Sequence, residues 1–171
     1  MTEEAISYLC VARFEGIEIV FLWESGGEAR DRVVLDDNDF ILAFPSIAAA
    51  MDLTMSLGIP LSDEEASAYD LDAIQAWCKS SSEVVDCGST LNAWNLFGDL
   101  PNVGKLYTSL DSQLNVVYDK LFRGCNFPSM TVPGEEYVAR WWPAEIAALK
   151  RLLLLGLAEF RARLPAAKVR T

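Results

Sequence analysis

Carboxylates are the most numerous of the side chains able to do acid–base chemistry in this chain. Of 171 residues, 25 are Asp or Glu and 14 are Lys or Arg, and none is histidine. Without imidazole the chain lacks the commonest general base, proton shuttle and metal ligand at neutral pH. Ser-His-Asp and Cys-His catalysis within one chain is thereby excluded, as are histidine-containing zinc sites. Two carboxylates can hydrolyse a glycoside without histidine. Among the 25 present, no spacing singles out a pair, so a carboxylate-based enzyme is the weakest of the readings. The glycine-containing segments 24–28 and 98–104 lack the spacings that cradle phosphate. No cofactor is implied, and a non-enzymatic protein is expected.

Two acidic runs stand out as candidate binding residues. Asp36, Asp37 and Asp39 flank Asn38 in a polar loop. A calcium loop needs spaced ligands, a glycine bend and a distal Glu, and these are missing, so no metal is expected. The second run, Asp63, Glu64 and Glu65, joins Asp70 and Asp72 to place five acids within ten residues. That is the densest acidic patch in the chain and the first choice for docking a basic surface. Its bland alternative is the electrostatics of helix N-termini. Trp141 and Trp142 are adjacent, so one element cannot bury both on the same face. Trp141 beside Arg140 is a candidate interface anchor. The competing reading has Trp142-Pro143 stapling the start of the last helix.

The four cysteines, Cys10, Cys78, Cys87 and Cys125, form no C-x-x-C pair. A zinc knuckle or redox motif therefore has no support. Cys78 and Cys87, nine apart around a serine-rich loop, could approach each other, but a cytoplasmic setting disfavours a disulfide.

Charge narrows the partners. The net charge is -11, which disfavours phosphate backbones and so nucleic acid. Residues 1–99 hold 19 acidic and 4 basic side chains, and residues 100–171 hold 6 and 10. An acid-rich N-terminal part would attract a basic protein and speed encounter with it. No apolar run reaches the length of a membrane span. The acidic start, Met1 to Glu4, lacks the positive charge of an export signal. A soluble, cytoplasmic protein is expected, with no membrane partner.

The elements that must position these residues read as strands first and helices after. Residues 5–14 alternate, with Tyr8, Cys10, Ala12 and Phe14 on one face and Leu9 and Val11 on the other. Strands over 17–23 and 29–35 follow across glycine turns, and Phe40–Phe44 reads as a fourth, central strand. Helices are expected over 47–57, from Ser62 in a short capping box, from Asp70, over 89–97, from Thr108 to Arg123, and from Pro143 to about Leu164. Together these predict a single α+β domain spanning 1–171. Its N-terminal antiparallel β-meander of about four strands is followed by a helical C-terminal part packed on the sheet.

The segments Leu91–Phe97, Tyr118–Phe122 and Asn126–Thr131 resemble a family of small bacterial proteins of uncertain role, over roughly residues 90–131. In size, acidity and order of elements the chain also resembles immunity proteins that neutralise bacterial toxins. That second resemblance implies an acidic protein-binding module that covers a basic toxin domain, and it implies no particular residue. The alternative is a homodimeric structural or regulatory protein associating through its last helix.

Overall fold

In a computed structural model, residues 4–27, 29–101, 103, 107 and 112–165 are described. The alternation of the first strand sorts the whole molecule into layers. β1 (Ile6–Phe14) and β2 (Ile17–Ser25) form an antiparallel hairpin across the tight turn at Glu15-Gly16, where both residues have positive φ. Asp72 closes that turn by accepting the Glu15 and Gly16 backbone N–H groups at 2.6 and 3.0 Å. β3 (Arg32–Val33) pairs with β2, and β4 (Ser67–Asp70) pairs with β1, giving the order β3-β2-β1-β4.

The expected α+β class holds, with a sheet of four strands, but the sheet is mixed. β4 runs parallel to β1, with Val11 opposite Ala68. The fourth strand is therefore not Phe40–Phe44. That segment makes only single bridges, Val20 to Phe44 and Leu35 to Ile41. Its ladder is interrupted because the Ile41 N–H donates to the Arg163 carbonyl at the end of the last helix, 2.7 Å away. Nor does Ser62 start a helix. Ser62 N–H donates to the Ser7 carbonyl at 2.8 Å, and Ser7 N–H donates to the Pro60 carbonyl at 2.9 Å. These bonds to β1 hold the chain extended, and the Ser62 hydroxyl caps only a local turn, accepting from Glu64 N–H.

Among the described residues, five helices pack on the sheet. α1 (Ile47–Leu57) starts at Ser46, whose side chain accepts the Ala49 N–H, and ends at Gly58 in the left-handed region with φ 65°. α2 (Leu71–Lys79) is capped by Asp70 and α3 (Cys87–Gly98) by Asp86. α4 spans Ser112–Gly124; the box-like start expected at Thr108–Asp111 lies outside the described residues. α5 (Pro143–Ala162) begins with proline in its first turn, where the missing N–H costs nothing.

The two faces of β1 serve different layers. Cys10, Ala12 and Phe14 pack with Phe21 and Ile19 against α2, α3, α4 and α5. Leu9 and Val11 pack with Val20, Leu22, Phe44 and Ala50 under α1. The first face carries most of the core, and Phe160 of α5 meets Phe14 and Phe21 edge-on at 5.7 and 6.1 Å. α5 lies close to α3 because Gly156 gives it room. A Cβ there would sit 2.2 Å from Phe97 and 2.7 Å from the Tyr107 hydroxyl. No helix among the described residues is long and apolar enough to cross a membrane.

Candidate functional site

The acids singled out by their spacing divide into those that hold the fold and those left free. Asp36 accepts the Asn38 and Phe40 N–H groups and so shapes its own loop. Asp70 caps α2, and Asp72 ties α2 to the β1–β2 turn and pairs with Arg13 at 3.8 Å. Asp37, Asp39, Asp63, Glu64 and Glu65 are exposed. The loop with Asp36, Asp37 and Asp39 follows the β3 edge, whereas Asp63–Glu65 leads into β4 at the opposite edge. The fold does not join the two runs. Of the adjacent tryptophans, Trp141 is half-buried against the core with the Lys120 ammonium 5.7 Å from its ring centre, and Trp142 is 69% exposed.

Several basic side chains are tied to carboxylates or carbonyls of the fold. Arg32 pairs with Glu24, Lys120 with Glu145, Arg161 with Glu15 and Arg163 with Glu159. Arg163 also donates to the Asp39 carbonyl, and Lys150 to the carbonyls of Ser80 and Ser82. The basic last helix thus answers part of the acid-rich N-terminal half within the fold. Among the described residues, Asp63, Glu64 and Glu65 have no basic partner.

A second feature, which spacing did not reveal, centres on Asp99 at the C-terminus of α3. Cavities of about 640, 580 and 370 Å³ adjoin one another, and Asp99 lines all three. Its carbonyl accepts the Val33 N–H at 3.2 Å, which fixes the loop against β3. Its carboxylate accepts the Trp23 indole N–H at 2.8 Å. Burial pushes the Asp99 carboxyl above the usual carboxylate range, against the opposing pull of the Trp23 hydrogen bond. Trp23 in turn stacks at a tilt on Tyr8 directly across the hairpin, centres 5.3 Å apart. The smallest of the three cavities runs from Asp99 and Trp23 past Tyr8 and Tyr69 to Glu64.

Burial shifts Cys10, Tyr69 and Asp99 in this groove toward their neutral forms. Cys10 on its floor is a protonated thiol, since burial pushes it up to about 11, and burial raises the Tyr69 phenol further. Neither serves as a nucleophile at neutral pH. Cys78 and Cys87 do not face each other; Cys87 lies beside Gly124 and Cys125, and all four cysteines are free thiols. Among the described residues no cluster of three or more acids and cysteines could hold a metal ion. The chain matches no protein-family model, and comparisons with curated proteins and with solved structures give no match.

Proposed function

We propose that this protein is a non-enzymatic acidic module that docks a basic protein, in its sharpest form an immunity protein that occludes a toxin domain. The observation that supports this is the imbalance of charge at the surface. The described ion pairs tie Arg13, Arg32, Arg161, Arg163 and Lys120 to carboxylates of the fold, while Asp63, Glu64 and Glu65 stand exposed before the edge strand β4 with no ion-pair partner among the described residues. Exposed like charges raise the local potential and steer an oppositely charged partner, with more effect on the rate of association than on its final strength.

The test is a tagged capture at low salt, followed by association kinetics with the protein it retains. The expected partner is one basic protein held at stoichiometric yield. Association should slow by about tenfold or more from low to high salt. The triple variant Asp63→Asn, Glu64→Gln, Glu65→Gln should reproduce much of that slowing at low salt. Association that ignores both salt and the triple variant would sink the reading.

A homodimer is the second reading, and one observation favours it at a place other than the last helix. α5 exposes only Leu154 and Leu155 among its large apolar residues, whereas α1 exposes Ile47, Met51, Leu53, Met55 and Leu57. Exposed apolar side chains gathered on one helix, on both flanks of its buried line, support an interaction surface there.

A further inference from the structure

The cavity of about 370 Å³ beside β4 combines carboxylates with aromatic walls. Glu64 and Asp99 supply two negative groups, and Tyr8, Trp23 and Tyr69 supply rings. Among its described lining residues there is no lysine or arginine. Arg30, which acts on Asp99 at longer range, is turned to the Gly98 carbonyl at 3.3 Å and lines the two neighbouring cavities instead. Asp31, the other acid acting on Asp99, accepts the Ser25 hydroxyl at 2.9 Å.

From this arrangement we infer that the cavity binds an alkylammonium or alkylguanidinium head group, carried by a free amine or by a basic side chain of a protein. Three features argue for that ligand class. A half-buried carboxylate whose one donor among the described residues is a neutral indole gains most from a cation placed against it. Tyrosine and tryptophan rings attract a cation through their quadrupoles, most strongly where water is excluded. The indole N–H also holds the Asp99 carboxylate in place before any ligand arrives, so little order is lost on binding. Burial raises the Asp99 carboxyl in the empty cavity, and a bound cation would reverse that shift.

The inference does not need the docking reading. A silent titration of this cavity would leave salt-sensitive docking standing, and a failure of docking would leave the cavity standing. The probes are butylguanidinium, its neutral isostere butylurea, and an end-blocked pentapeptide whose only charge is one arginine. The readout is the indole N–H resonance of Trp23, assigned by its loss in Trp23→Phe. A saturable shift with butylguanidinium and none with butylurea is expected. Asp99→Asn keeps an acceptor for the indole, Glu64→Gln keeps the shape of its side chain, and circular dichroism confirms that both fold. Each should weaken binding by about tenfold. Equal affinity for butylguanidinium and the peptide would identify a free amine as the ligand, and tighter peptide binding would identify a partner's side chain. Equal shifts with butylurea, a shift that does not saturate, or unchanged affinity in both variants would overturn the inference.

Discussion

Asp99 holds a carboxylate where folding alone would place a neutral group. Burial raises its carboxyl in the folded chain above its value in the unfolded chain. The folded state therefore binds this proton more tightly, so stability falls as pH rises from the unfolded to the folded value and stays lowered above it. Asp99→Asn should accordingly raise the thermal midpoint at neutral pH, because it keeps the Trp23 acceptor and removes the charge. That gain should vanish in acid below both values. Thermal melts of the two proteins across pH check it, and an Asn variant less stable at neutral pH would contradict it. Glu145 behaves in the opposite sense. Although burial works against it, the Lys120 ammonium at 2.7 Å and the Trp142 N–H hold its carboxyl below the usual range. Its contribution is present above the unfolded value and is lost as pH falls through the folded one. Spacing could not mark Asp99 as special. It is one acid after a helix, and only residues distant in sequence, Trp23 and Val33 among them, gather round it to make it half-buried.

At the scale of elements, α3 and α5 approach closely at Gly156. Gly156 has a helical backbone and no Cβ, and Phe97 and Tyr107 occupy the space a side chain would need. Tyr107 donates its hydroxyl to the Leu152 carbonyl one turn earlier, which binds that packing together. Alanine normally favours a helix over glycine, but overpacking costs about 1–3 kcal/mol. Gly156→Ala should therefore destabilise the protein by up to about 2 kcal/mol once the helix gain of about 1 kcal/mol is set against the clash. Denaturant unfolding measures this directly, and an alanine variant as stable as the parent would show that the two helices can part at no cost. The helices themselves were legible from local signals. Ser46, Asp70 and Pro143 stand where their side chains cap or start α1, α2 and α5. The element that was not legible is β4. Ser67-Ala68-Tyr69-Asp70 has no strand-like alternation, and only pairing with β1 makes it extended.

Over the whole molecule, the layers are unequal. The face of the sheet under α2 to α5 carries most of the buried residues, and α1 with the segments around Phe44 and Leu61 covers the other. α1 buries only Ala50 and Thr54 and leaves Met55 78% exposed. If this face joins two copies, light scattering should give a dimer mass at both low and high salt, since apolar association is not screened. Met55→Glu should then yield monomers. A monomer mass in the parent would remove the homodimer reading and leave the acidic edge as the main interaction surface.

Composition and local pattern determined the class of this protein. The absence of histidine, the alternation of β1 and the caps of the helices are properties of residues and their near neighbours. They led to an α+β fold without imidazole chemistry. The order of strands, the layer assigned to α1 and the groove around Asp99 depend on residues far apart in sequence. Trp23 and Asp99 are 76 positions apart and meet at 2.8 Å. Ser7 and Ser62 are joined through the backbone. No local spacing encodes such meetings, because they arise from which surfaces must be buried together, and only the folded chain decides that.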